Sequence, residues 1–172
     1  MAAKAADPRV PALRIPANRV SRRVIAYWTA RSALAGLVIL AAESAAAVVA
    51  GFSPAWLAAL ATSVAVLAGY AVVMPRWRYR VHRWEVTETA LYTRYVRAWW
   101  FTVNWRIAPI SRIQTIDSHR SFGERLFGLA NVTATTASAA GPIRIHGLDT
   151  ALADRLLDQL AVATGRTPGD AT

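Results

Sequence analysis

Arg76, Arg78, Arg80 and Arg83 lie within eight residues of one another, directly after Ala55 to Met74, a run of twenty residues without a formal charge. Guanidinium groups at the end of an apolar run have two chemistries open to them. They can bind the phosphates of anionic lipid headgroups, at about 1 kcal/mol per basic residue near the surface. They serve equally well to fix the side of a membrane on which the run ends. Glu43 is the second notable charge, because it interrupts another apolar stretch, Ala33 to Phe52. An acid inside such a stretch is a functional candidate. With no second ionisable residue in either run it makes a poor proton relay, and a structural role is the expectation. His82, His119 and His146 are scattered with few carboxylates near them, so no metal site is expected. There is no cysteine, which excludes disulfides and thiolate ligands. No Ser–His–Asp spacing, Gly-rich phosphate loop or pair of acids appears. The expectation is therefore a chain with no catalytic residues and no cofactor.

The two apolar runs must position these charges. Each is long enough to cross a bilayer as a helix, about 30 Å at 1.5 Å per residue. Gly51, Phe52, Ser53 and Pro54 between them read as a tight turn. Arginines crowd both outer ends (Arg14, Arg19, Arg22, Arg23 and Arg31 before, Arg76 to Arg83 after) and the turn has no charge. Positive residues stay cytoplasmic, so both termini are expected on that side. Tyr27, Trp28, Trp56, Trp77 and Tyr79 occupy aromatic-belt positions. Leu34 to Ala42 followed by Ala45-Ala46-Ala47 also resembles a signal peptide, but with an n-region of over thirty residues. Ten residues on either side of the turn place Glu43 opposite Ser63, with Thr62 beside it. Both hydroxyls are candidates to hydrogen-bond the carboxyl. Ala42, Ala46 and Ala50, and Ala61, Ala65 and Gly69, form small-residue faces suited to close helix packing, within the hairpin or between copies.

From Tyr79 the pattern changes. Trp99, Phe101, Val103, Trp105 and Ile107 alternate with polar or smaller residues, the signature of a half-buried strand. Trp84 to Val86, Leu91 to Val96, Ser111 to Ser118, Ala130 to Thr136 and Pro142 to His146 read as further strands. Leu152, Leu156, Leu157 and Leu160 then recur at helical spacing, with Asp149 placed to cap the first turn. The expected fold is a two-helix transmembrane hairpin followed by a mostly-β barrel of about seven antiparallel strands. One C-terminal helix caps it, which is the outline of a pleckstrin-homology (PH)-like domain. The expected divisions are a basic, Pro/Ala-rich tail over 1–23, the hairpin over 24–78, the PH-like domain over 79–163 and a disordered tail over 164–172.

Several local motifs, in order, resemble those of bacterial membrane proteins carrying a bacterial PH domain, the YdbS-like type. These are Trp84-Glu85-Val86-Thr87 through Ala90-Leu91-Tyr92, then Ile110-Ser111-Arg112-Ile113-Gln114-Thr115-Ile116. Phe122-Gly123-Glu124-Arg125-Leu126-Phe127-Gly128-Leu129-Ala130 and Ile145-His146-Gly147-Leu148 complete the series. The likeness covers about residues 24–163. It departs at Arg94 to Ala98, where the family usually ends its second strand on Gly. It implies a membrane-anchored interaction domain, no catalytic residues and no named substrate.

Within the domain, Arg120 and Arg125 are candidates to join Arg76, Arg78, Arg80 and Arg83 in contacting lipid. For Arg125 the competing role is holding its loop while Gly128 supplies a positive φ. Trp100, Arg112 and Gln114 are candidate partner contacts. The first-hairpin turn is Glu88-Thr89, short and acidic, so specific phosphoinositide recognition is not expected. The net charge of +10 sits mostly beside the apolar runs, which favours anionic lipid over nucleic acid as its counterpart. The leading expectation is a non-enzymatic protein of the bacterial inner membrane. Its cytoplasmic PH-like domain docks a partner, another membrane protein such as a PH-domain paralogue, or helps assemble a membrane complex. Self-association is compatible with the small-residue faces. The alternative is a sensor of anionic lipid at the inner leaflet.

Overall fold

The computed structural model describes residues 15–97, 102–136 and 141–165. Trp100 and most of the two tails expected from the sequence lie outside them.

Two helices, α1 (Arg23–Ala50) and α2 (Pro54–Val81), form an antiparallel hairpin. Gly51 turns the chain at φ 81°. Ser53 caps α2 by accepting from the Trp56 amide at 3.4 Å, and Pro54 takes the first helical position, where no amide hydrogen is needed. Both helices are long and apolar enough to span a membrane. Each has 28 residues, about 42 Å, and extends beyond its apolar run at the arginine-rich end, α1 by nearly three turns and α2 by about two. Pro75 lies inside α2 and does not end it. Gly36 faces Leu67 across the seam, and Ala47 is fully buried in it. The faces carrying Ala42, Ala46 and Ala50, and Ala61, Ala65 and Gly69, point away from this seam and are exposed. So are Leu37, Val38, Val49, Val66 and Val73, each more than half exposed, which is far more apolar surface than a protein surrounded by water carries.

Beyond the hairpin, two antiparallel sheets enclose one core. The first is ordered β1 (Asn18–Arg19), β2 (Arg83–Val86), β3 (Ala90–Arg97), β4 (Thr102–Pro109). The second is ordered β5 (Ile113–His119), β6 (Leu129–Thr136), β7 (Ile143–Asp149). A 3₁₀ turn, Ile110–Arg112, joins the sheets, and α3 (Phe122–Leu126) connects β5 to β6. The C-terminal helix α4 (Thr150–Ala163) lays Ala153, Leu156 and Leu160 into the core against Leu91, Leu129, Val132 and Leu148. The seven strands and capping helix match the fold expected from the sequence.

One strand has an unexpected origin. β1 comes from the segment before the hairpin and pairs Asn18 with Trp84 and Arg19 with Arg83. Pro16 is fully buried, and the Ala17 amide donates to Glu85 Oε2 at 3.1 Å. Val20, Val24 and Trp28 belong to the same core as the sheets. The hairpin is therefore inserted between the first and second strands, and residues 16–28 are part of the barrel's own packing. A two-residue strand with its apolar residues split across a helix start has no periodicity for a sequence reading to detect.

Candidate functional site

The arginines after α2's apolar run separate into two groups. Arg76 and Arg80, one turn apart, are exposed on the outer face of α2. They rim a groove of about 580 Å³ whose floor includes Gly69, Val73 and Trp77. Arg76 Nη1 donates to the Val72 carbonyl at 2.7 Å, which holds its guanidinium along the helix. Arg78 faces the other way, its guanidinium 4.3 Å from the Trp28 ring centroid and its Nε buried without a partner among the described residues. It packs the hairpin to the barrel and does not present itself to a headgroup. Arg83 is half-buried and donates to the Pro16 carbonyl at 3.4 Å. Arg120 is engaged by an acid, its Nη2 lying 2.5 Å from Asp154 Oδ1 on α4. Arg125 is exposed on α3, and Gly128 adopts φ 65°. Arg22, Arg23 and Arg31 are also exposed at this end of α1.

In the hairpin, Ser63 Oγ donates to Glu43 Oε1 at 2.9 Å. Thr62 does not reach the carboxyl. It points off the seam and donates to the Ala58 carbonyl one turn back in its own helix, at 2.8 Å. Glu43 Oε2 is buried and has no hydrogen-bond partner among the described residues.

The barrel is fastened to the hairpin by a polar network that the sequence reading did not assemble. Ser121 and Glu124 form a reciprocal capping box at the start of α3. Asn131 Nδ2 donates to Glu124 Oε1 at 2.5 Å, while Asn131 Oδ1 accepts from the Gly147 amide at 3.0 Å. The Gly147 carbonyl accepts from the Ser21 amide at 2.8 Å. Burial alone would raise the Glu124 carboxyl, but the hydrogen bonds from Ser121 and Asn131 outweigh it and hold the group below its usual range. Asp149 precedes α4 but makes no side-chain cap; its carboxylate accepts from Ser21 Oγ at 2.8 Å instead. The incoming chain competes for the acid, and this ties β7 to the entrance of α1.

His82 sits at the same junction. Its Nδ1 donates to the Arg78 carbonyl at 2.8 Å, and its ring lies 5.1 Å from Trp28 and 6.5 Å from Tyr95. Burial, reinforced by the Arg78 charge and partly opposed by the carbonyl hydrogen bond, pushes His82 down to about 4. The imidazole is thus neutral in the fold from neutral pH down to about 4. Below its unfolded pKa of about 6.5 the unfolded chain takes up a proton that the fold refuses, so stability falls as pH falls. The expected loss between pH 7 and pH 4 is on the order of 3 kcal/mol, measured by thermal unfolding in detergent. His82→Gln should remove that share of the pH dependence and leave the shares of Glu124 and of His146, which burial also holds below its usual value.

The second candidate surface lies where the sheets part. β4 and β5 are each at one end of their sheets and follow one another through the 3₁₀ turn, with no strand pairing between them among the described residues. Gln114, Thr115, Asp117, Ser118 and His119 of β5 are exposed, as is Arg112 just before it. Beside them is a cavity of about 340 Å³, lined by Trp105, Ile107, Arg112, Thr136 and Ile143 among others. Arg106 braces its wall by donating to the Gly141 and Pro142 carbonyls at 3.2 and 2.6 Å. Arg112, at the end of the 3₁₀ turn, and Gln114 are thus brought together at the start of an open strand edge.

No curated protein and no solved structure gave a significant match. The family model for the bacterial PH domain matches residues 33–164, which takes in most of the hairpin and all of the barrel after it but not β1. With that match covering more than half of the sequence, and with the two-sheet barrel and capping helix described above, the chain belongs to the bacterial PH domain family.

Proposed function

We propose that this is a non-enzymatic, membrane-anchored interaction module whose hairpin spans the bacterial inner membrane and whose barrel docks a partner protein at the cytoplasmic face. The bare apolar faces of α1 and α2 support the anchoring. The barrel and the exposed arginines of both helices share one end of the hairpin, and the positive-inside rule assigns that end, with both termini, to the cytoplasm. The observation that carries the docking role is the unpaired edge of β5 with Arg112 and Gln114 on it. An edge strand offers a row of backbone donors and acceptors to an incoming strand, and neighbouring side chains supply specificity. The partner is another membrane protein, a PH-domain paralogue being the simplest case. The test is purification of the full chain in mild detergent, comparing wild type with Arg112→Glu/Gln114→Glu. The variant should lose the protein that accompanies wild type while keeping its melting temperature. Trp100→Ala belongs in the same set on sequence grounds. An unchanged set of companions would count against the β5 edge.

A second reading has its own support. The groove under Arg76 and Arg80 is apolar below and cationic above, which is the form of an anionic phospholipid. Arg76→Gln/Arg80→Gln should reduce the anionic lipid retained through purification, read by mass spectrometry, and leave the partner in place.

A further inference from the structure

α3 is turned inside out relative to an ordinary surface helix. Its acid, Glu124, is buried, while Phe122 and Leu126, one turn apart on the same face, are 78% and 70% exposed. Such a pattern costs free energy in water, and an apolar neighbour would relieve it. The position of the helix says what that neighbour is. α3 leans on α1 at Tyr27: a Cβ on Gly123 would stand 3.0 Å from the Tyr27 ring, and the Phe127 ring lies 5.7 Å from it. Tyr27 is six residues before Ala33, where the first apolar stretch begins, or about 9 Å along the helix. A bilayer's headgroup layer is about 5–8 Å deep on each side, taking a total of 40–45 Å around a 30 Å core, so Tyr27 stands at its outer edge, about as far from the acyl chains as the 5–10 Å that an interfacial apolar face penetrates. Arg31, one turn nearer the run on the same side of α1 as Tyr27, and Arg125 of α3 are both exposed.

We propose that α3 is an interfacial wedge. Phe122 and Leu126 enter the boundary between headgroups and acyl chains of the inner leaflet, and Arg31 and Arg125 lie among the lipid phosphates. Side chains of this kind bury their apolar face about 5–10 Å into that boundary, with cations on anionic headgroups. The capping box and Asn131 lock α3 to β6 and β7, so the wedge fixes the tilt of the whole barrel, and with it the direction in which the β5 edge faces.

This inference rests on the two-span reading, and the experiment separates the two. The chain has no cysteine, so a single introduced one takes a unique label. Full-length Phe122→Cys, Leu126→Cys, Glu88→Cys and Val38→Cys would each carry an environment-sensitive fluorophore. They would be reconstituted in phosphatidylcholine–phosphatidylglycerol vesicles containing lipids with a nitroxide high or low on the acyl chain. Shallow nitroxides should quench the labels at 122 and 126 about twofold or more over the label at 88, and deep nitroxides should quench the label at 38. Quenching at 38 with none above the Glu88→Cys level at 122 and 126 would overturn the wedge alone. No quenching at 38 would overturn the spanning reading and the wedge with it.

Discussion

Gly147→Ala is expected to destabilise the barrel by roughly 2–5 kcal/mol and to loosen it from the hairpin. Gly147 holds φ 76°, and a Cβ there would lie 2.4 Å from Val24 Cγ2 and 3.0 Å from Val24 Cβ. Two costs combine. An L-residue in the left-handed region costs about 1–2 kcal/mol. Overpacking a filled core adds about 1–3 kcal/mol. Relief of the clash would require β7 to retreat from α1, which strains the Ser21 amide–Gly147 carbonyl and Gly147 amide–Asn131 hydrogen bonds together. Denaturant unfolding in detergent, followed by tryptophan fluorescence, reads the loss. Adding Val24→Ala to Gly147→Ala should recover part of the overpacking cost and none of the backbone cost. Additive losses in the double variant would mean that the two residues do not meet.

Trp28→Ala should be at least as costly, about 3–5 kcal/mol, the usual range for deleting a buried aromatic. Trp28 is the point at which α1, α2 and the barrel converge. It lies in the common core, under the Arg78 guanidinium at 4.3 Å and edge-on to His82 at 5.1 Å. Its removal takes the ring face from a partly buried cation and opens a void between the hairpin and the first sheet. Trp28→Phe keeps a ring and most of the volume and should cost well under half as much. If both substitutions are mild, the hairpin and barrel pack independently, and the coupling inferred from residues 16–28 is wrong.

The parts of this fold that the sequence revealed are those with a period. The apolar runs declare the two helices, and the leucines of α4 declare both an element and its buried face. The alternation through Val103, Trp105 and Ile107 declares the strand β4 but not its core face, which carries Ala108 opposite Leu91, with Val103, Trp105 and Ile107 half-buried on the other side. The opposition of Glu43 and Ser63 also followed from counting outward from a recognisable turn. What stayed hidden depended on a few residues acting at a distance. β1 is two residues long, and only its pairing with Arg83 and Trp84 shows it to be a strand. Asp149 has the right type and place for a helix cap, yet Ser21, 128 residues earlier, takes its carboxylate. Arg78 and Arg80 look alike in sequence, and only their facing, one toward Trp28 and one outward, separates a packing residue from a headgroup candidate. The capping box of α3 was legible as Ser121-x-x-Glu124, the spacing such boxes require. A five-residue helix is too short to add a hydrophobic period to that spacing, so the box alone does not declare the helix.

The docking role is tested most directly by site-specific photo-cross-linking in growing cells. A photoreactive side chain at Gln114, on the open edge of β5, is compared with the same group at Glu88, on the turn at the far end of β2 and β3. The expected result is a discrete cross-linked protein at Gln114 that is absent at Glu88 and lost when Arg112 is replaced by Glu. No cross-link at Gln114, or the same products from both positions, would contradict the assignment of the β5 edge as the surface on which this membrane-anchored domain receives its partner.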